Sequence, residues 1–292
     1  MSTVPARVFG IVATEAPMVV LFRRGPSKLT QMLPCHLETD EITPGQWIRG
    51  KVFIHSCDLS PDGQLLVAAI SNYSADKNRE AAEQYGLASY ATSFWTAVSR
   101  PPYFTALALW FMGPSYNGGG IWLDAHTLGF NNQPYAADEA KPMGKGYRRI
   151  ELHLGPSEDS GIWNRLLARR RWIAEKTSLF KRGYIASGAR YKLFPGGQIR
   201  YRETSVRKRW LWNTHETWEM LESEGAVIRA FEDRMMGLVW IDVDPLGRVL
   251  IADEGRLYRW DDFPVGEPRL VADLNANTFE SVAPPDDALL WP

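Results

Sequence analysis

Cys57-Asp58-Leu59-Ser60-Pro61-Asp62-Gly63-Gln64-Leu65-Leu66-Val67-Ala68 and, far along the chain, Ile241-Asp242-Val243-Asp244-Pro245-Leu246-Gly247-Arg248-Val249-Leu250-Ile251-Ala252 align without a gap. Proline presets φ at the first turn position and glycine supplies a positive φ. The aliphatic residues on either side pair across two strands, so each segment reads as a β-hairpin. A third copy, Phe194-Pro195-Gly196-Gly197-Gln198-Ile199, keeps the core of the pattern, and Pro284-Pro285-Asp286-Asp287-Ala288-Leu289-Leu290 is a degenerate fourth. A longer-turned variant reads Gly113-Pro114-Ser115 and then Gly120-Ile121-Trp122, and it recurs as Gly155-Pro156-Ser157 and then Gly161-Ile162-Trp163.

The marker prolines fall at 61, 114, 156, 195, 245 and 285, at intervals of 53, 42, 39, 50 and 40 residues. These bracket the about 40–50 residue period of four-stranded propeller blades, and the 3.6-residue apolar period of a helical solenoid is not read here. One blade can be spelled out. Strands are expected at 237–243, 248–252, 256–260 and 269–274, with short turns between them. The next blade would start at Phe279 with only two strands. Strands expected at Arg7–Ala13, Met18–Phe22 and Leu29–Leu33 would complete it from the other terminus, removing exposed edges. One helix is expected near residues 74–86, where Ala81-Ala82-Glu83-Gln84 are good helix formers, Asp76 can cap and Gly86 can stop.

The Leu59-Ser60-Pro61-Asp62-Gly63 hairpin resembles that of the WD-repeat and related propeller superfamilies. The resemblance implies an all-β fold, a single β-propeller domain over residues 1–292 with about six four-stranded blades closed by strands from both termini. It implies no activity, because propellers serve both as docking platforms and as enzymes, and Trp260-Asp261 is a lone Trp-Asp pair. Division into two smaller β domains is the alternative.

The 292 residues are 45 % hydrophobic and 23 % charged, with 12 Trp, 12 Phe and 11 Tyr, the make-up of a folded chain with a sizeable core. The longest apolar stretch, around Phe104 to Met112, is shorter than the about 20 residues a membrane helix needs, and the first residues do not read as a signal peptide. With only Cys35 and Cys57, the expectation is a cytoplasmic protein in a reducing compartment.

Charge is unevenly spread. From Arg165 to Arg209 there are 14 basic residues against Glu175 and Glu203, a net of +12, and from Trp210 to Pro292 there are 17 acidic and 6 basic residues, a net of −11. Aromatic residues interleave with the basic ones, as in surfaces that stack bases and neutralise phosphates. The candidate partner- or polyanion-binding residues are therefore Arg169, Arg170, Arg171, Tyr191, Tyr201, Arg207, Lys208, Arg209 and Trp210. The competing reading is strand alternation such as Arg200-Tyr201-Arg202, which puts charge on one sheet face and a ring on the other.

Other motifs carry little. Cys35-His36 and His55-x-Cys57 lack zinc spacing, and adjacent Cys35 and His36 point to opposite faces of a strand. Asp242-x-Asp244 followed by Gly247 lacks a third oxygen ligand and the distal glutamate of a calcium loop, and reads as the hairpin. Neither Gly144-Lys145-Gly146 nor Gly118-Gly119-Gly120 makes a phosphate loop, and Ser99 has no nucleophile-elbow glycines. No catalytic residue, metal or cofactor is expected. The leading expectation is a non-catalytic protein-interaction platform, a scaffold or regulatory subunit. The alternatives are nucleic-acid or polyanion binding through residues 165–209, and a propeller enzyme such as a metal-dependent hydrolase whose ligands converge on the channel from distant blades.

Overall fold

The structure, a computed structural model, describes residues 4–292 except 26–27, 114–117, 132–133, 135–139, 153–157, 176–184, 209–210 and 234–238; the side chains of 158–160, 185–187, 204–208, 211–214 and 233 also lie outside the description. The described chain is mostly strand with two α-helices, and its strands form five sheets, each from consecutive segments. It divides into two compact units, Ile11–Leu166 with Thr278–Pro292, and Met1–Gly10 with Leu167–Asn277. Each unit thus takes a short piece from the far end of the chain.

The larger unit holds three sheets. In the first, β1 (Arg7–Val12), β2 (Met18–Arg24), β3 (Leu29–His36) and β4 (Glu41–Ile42) follow in order, with β5 (Trp47–Arg49) also pairing β3; the first residues of β1 belong to the smaller unit. In the second, β6 (Lys51–Val52) and β7 (Asp58–Leu59) both pair β8 (Leu66–Ser71), followed by β9 (Phe94–Ser99) and β10 (Ala106–Phe111). The third is β11 (Gly120–Trp122), β12 (Thr127–Asn131) and β13 (Arg148–Leu152), the last pair parallel. The β8, β9 and β10 ladder is buried on both faces, and Phe94, Trp110, Trp122 and Phe130 pack together at its core.

The smaller unit holds β14 (Ile173–Ala174), β15 (Ile185–Phe194), β16 (Gly197–Lys208), β17 (Leu211–Glu222) and β18 (Val227–Asp233) in one sheet, and β19 (Val239–Val243), β20 (Val249–Asp253), β21 (Arg256–Trp260) and β22 (Arg269–Asp273) in another. The second of these matches the four expected strands to within two residues at each end. Phe9 packs on Trp240 and the Ala6 N–H donates to Asn275, so the N-terminal piece is tied into this unit.

The aligned segments are the turns expected of them. Pro61 sits between β7 and β8, Pro245 between β19 and β20, and Pro195 with Gly196 makes the two-residue link between Phe194 and Gly197. Gly63 and Gly247 hold φ of 77° and 83° at equivalent positions. The residue before the proline does the same work twice: Ser60 Oγ accepts the Leu65 N–H, and Asp244 Oδ1 accepts the Leu246 and Arg248 N–H groups. Turns of neighbouring sheets touch within each unit. A Cβ on Gly247 would meet Pro195 at 3.3 Å, and the Pro61 carbonyl accepts the Glu15 N–H from the link between β1 and β2.

Three expectations are corrected, and two markers, Pro114 and Pro156, lie outside the described residues. Gly161-Ile162-Trp163 is not a strand but part of α2 (Glu158–Arg169). Ile162 and Leu166, four residues apart, are fully buried against Ile121 and Leu152, which is the helical period read as missing. The Pro284–Leu290 segment is not a hairpin. Asp286–Leu289 is a 3-10 turn and residues 274–292 contain no strand, so the C-terminal strands expected to close the fold do not form. Consecutive prolines lack the N–H groups a ladder needs, and Asp286 and Asp287 suit the first turn of a helix. The segment is instead tied down on its own unit by side chains: Gln46 donates to the Val282 carbonyl, Arg100 to that of Asp287 and Tyr147 Oη to that of Pro292.

The expected helix is α1 (Ala75–Tyr85), ended by Gly86 at φ 64°. Ser74, not Asp76, is its N-cap residue; Asp76 lies in the first turn and pairs with Arg79. Among the described residues, no helix is long and apolar enough to cross a membrane.

Candidate functional site

The long-stranded sheet β14 to β18 carries every sequence-predicted site residue except Arg169, Arg170 and Arg171, which sit at the end of α2, and Arg209 and Trp210, which lie outside the described residues. Arg207 and Lys208 end β16, with only their backbone described. The three arginines do not form a flat basic patch. Arg169 closes the helix, where a cation suits the macrodipole, and Arg170 is buried. Arg171 takes the left-handed residue that ends α2, at φ 63°, and the Trp172 N–H returns to the Leu167 carbonyl.

Register sorts the rest onto two faces. Across β15, β16 and β17, Arg190 lies opposite Tyr201 and Tyr201 opposite Trp218, while Tyr191 lies opposite Arg200 and Arg200 opposite Glu219. Tyr191 and Tyr201 therefore point to opposite faces. On the Tyr191 face Arg200 meets Glu175 at 3.1 Å and Glu219 at 3.6 Å, and Arg202 meets the same Glu219 at 3.7 Å. Two of the cations that stood out in the linear count, Arg200 and Arg202, are answered here by carboxylates from neighbouring strands.

On the other face, Tyr201 stacks against Trp218 at 4.6 Å, and Trp172 meets Trp218 edge-on at 6.0 Å. Glu203 and Glu216 are direct cross-strand partners beside it, and Tyr201 Oη donates to Glu203 at 3.4 Å. Burial drives the Tyr201 phenol far above its usual pKa, and the Glu216 and Glu203 charges push the same way; Arg190 opposes them. Burial lowers the Arg190 pKa, with Tyr201 and Glu203 offsetting that loss. The phenol is thus a neutral, fixed donor between two carboxylates. Further along this face Lys192 forms a buried ion pair with Asp242 of the next sheet. Asp244 is likewise committed, to Arg248 and the turn amides, so both carboxylates of the calcium-like stretch serve the hairpin region.

The sheet ends in β18, a seven-residue outer strand. Ile228, Arg229, Ala230 and Glu232 are exposed, as is Val227, while Phe231 is half-buried. Arg229 spans to Glu267 at 3.5 Å and lies over the Phe231 ring.

No family model matches the chain, and no curated protein matches it. Among solved structures, an endo-arabinase from Bacteroides thetaiotaomicron VPI-5482 aligns over 93 % of this chain and 75 % of its own, at 11 % identity and a TM-score of 0.18. A score that low carries no argument about fold or activity.

Sequence reading missed Arg190, Glu203, Glu216 and Trp218 as neighbours of Tyr201 on one face, and Glu219 as the partner of Arg200 on the other. The signal was available in the two-residue turn at Pro195 and Gly196, since counting outward from it sets Arg190 against Tyr201. The exposed edge at β18 left no such trace, because an edge is a property of what lies beside a strand.

Proposed function

We propose that this protein is a non-catalytic docking platform, a scaffold or regulatory subunit that binds another protein through the outer edge of the β14 to β18 sheet. The observation that carries this reading is β18 itself. Exposed edge strands are normally kept short, bulged away or blocked by proline or lysine, because their unpaired N–H and C=O groups recruit other strands. Here the outer strand has one bulge, at Ile228 where its pairing with β17 slips, but it is seven residues long, contains no proline or lysine, and exposes Val227 and Ile228 at 51 % and 42 %. An extended segment of a partner can add to such an edge through main-chain hydrogen bonds.

The array of sheets is proposed to be propeller-like, supported by consecutive strands in each sheet and by like hairpin turns that touch within each unit. Cys35 and Cys57 are buried thiols not joined in a disulfide, which supports a cytosolic setting. The polyanion reading is weakened by Arg200, Arg202 and Lys192, whose charges are met by Glu219, Glu175 and Asp242.

The test is affinity capture of the tagged full chain from native cells, comparing wild type with Ile228→Lys after nuclease treatment. A protein partner retained by wild type and lost from the variant is expected. Equal retention by both, or material that disappears with nuclease, overturns the reading.

A further inference from the structure

We infer that the smaller unit carries a second docking surface, at its Pro195, Leu246 and Val265 turns, for a protein segment in which an aliphatic or aromatic side chain is flanked by lysine or arginine. The two aligned hairpins supply an internal comparison. In Pro61-Asp62-Gly63 the residue after the proline is Asp62, whose carboxylate accepts the Ser60 hydroxyl and the Gln64 N–H. Pro61 and Gly63 are buried there, with the Glu15 N–H and Met18 against them. In Pro245-Leu246-Gly247 the amides are capped by Asp244 instead, so position 246 has no duty in the turn. Pro245 is exposed and Leu246 is 57 % exposed. A leucine so exposed in a tight turn adds little to folding.

Two further turns adjoin this one. A Cβ on Gly247 would meet Pro195 at 3.3 Å, and one on Gly196 would meet the Phe263 carbonyl at 2.4 Å and Pro264 at 3.8 Å. Pro195 is exposed, and Val265 is 73 % exposed. The backbone beneath both aliphatic side chains is pinned. The Leu246 N–H donates to Asp244 at 2.9 Å, the Val265 N–H to the Asp262 carbonyl at 2.7 Å, and Trp260 Nε1 to the Val265 carbonyl at 2.9 Å. Side chains held out on fixed turns lose little freedom when a partner covers them.

The charge around these turns sets the sign of the partner. Arg248, Arg259 and Arg269 are met by Asp244 or Asp261, and Arg229 by Glu267. Asp262 and Glu224 are exposed, and Glu222 is the register neighbour of Gly197. None of these three carboxylates forms an ion pair among the described residues. Negative charge is thus left over beside an apolar surface, which attracts a basic segment and repels nucleic acid and anionic lipid.

The probe is a phage-displayed random dodecapeptide library panned on the tagged full chain, with Leu246→Asp and Val265→Asp as counter-targets. Leu246→Asp places in this turn the residue its counterpart carries, so the melting temperature is expected to hold. Enriched peptides are expected to combine an aliphatic or aromatic residue with lysine or arginine. The most enriched sequence, labelled with fluorescein and read by anisotropy, is expected to bind either variant roughly tenfold more weakly, the loss of one buried aliphatic side chain. It should bind Ile228→Lys as it binds wild type. Asp262→Lys with Glu224→Lys is expected to abolish the strengthening that low salt gives the wild type.

No enrichment over the counter-targets, enriched peptides without basic residues, or equal binding by wild type and Leu246→Asp overturns the inference. A lowered melting temperature for Leu246→Asp does the same, because the leucine then serves the fold. So does a chain that is dimeric alone and made monomeric by Leu246→Asp, since a second copy then covers the turns. Peptides lost on Ile228→Lys but kept on Leu246→Asp belong to the β18 edge; docking at β18 then stands and this surface falls.

Discussion

Replacing Lys192 with Met should be among the most damaging single changes in the smaller unit. The Lys192 ammonium and Asp242 carboxylate are 10 % and 6 % exposed, and Lys192 also donates to the Val243 carbonyl at 3.4 Å. Met keeps most of the volume but strands the carboxylate, whose remaining partner is the Val243 N–H at 2.8 Å. Removing one member of a buried pair costs about 3–5 kcal/mol, most of it the uncompensated charge left behind. At about 2–4 °C per kcal/mol for a chain of this size class, the melting temperature should fall by roughly 6–20 °C. Adding Asp242→Asn to Lys192→Met removes that charge and should restore at least half the loss. Thermal unfolding at pH 7, followed by circular dichroism and by tryptophan fluorescence, measures all three variants. One molar salt should leave the wild-type pair unaffected, since buried ions are poorly screened. A single variant within 2 °C of wild type, or a double variant worse than either single, would show that Asp242 is not buried as a charge.

Other consequences are as specific. Tyr201→Phe should make the protein less alkali-sensitive: a raised folded pKa means its stabilising effect is present below the unfolded value of about 10 and is lost as pH rises above it. Denaturant titrations at pH 8 and pH 11 should show a smaller drop for the variant, and equal drops would place the phenol in water. Gly144→Ala pushes a methyl to 2.4 Å from the Trp291 ring and should cost about 1–3 kcal/mol with a red-shifted Trp291 emission; unchanged emission and stability would mean that the ring is not docked there. Replacing Arg207, Lys208 and Arg209 with Ala should hardly alter binding of single-stranded RNA or its salt dependence, and a slope that shallows by about 0.7 per lost contact would revive the polyanion reading.

How much of this was legible depended on whether the information was local. The β19 to β22 sheet could be written out strand by strand because turn chemistry and apolar alternation lie within a few residues of each other, and α1 announced itself through Ala81, Ala82 and Gly86. The match between Gly161-Ile162-Trp163 and Gly120-Ile121-Trp122 was equally local and misleading, for the same tripeptide sits in α2 in one place and in β11 in the other. What decided it was the burial of Ile162 with Leu166. The charge pairing inside the basic sector was hidden for the opposite reason. Arg200 and Glu219 are 19 residues apart in sequence and direct neighbours in register, so a running charge total records as asymmetry what the sheet records as pairing.

The crossed ends of the chain bear on the order in which the protein can be made. Residues 11–166 emerge from a ribosome long before Thr278–Pro292, the piece that Gln46, Arg100 and Tyr147 hold, while the first ten residues wait for Trp240 and Asn275. Domains ordinarily fold in turn as they are synthesised, at about 5–20 residues per second. Neither unit here can be finished in that way. The growing chain must carry an incomplete core for the roughly 6–25 seconds that residues 167–292 take at those rates, so stalled or truncated products should be the forms that chaperones and proteases meet.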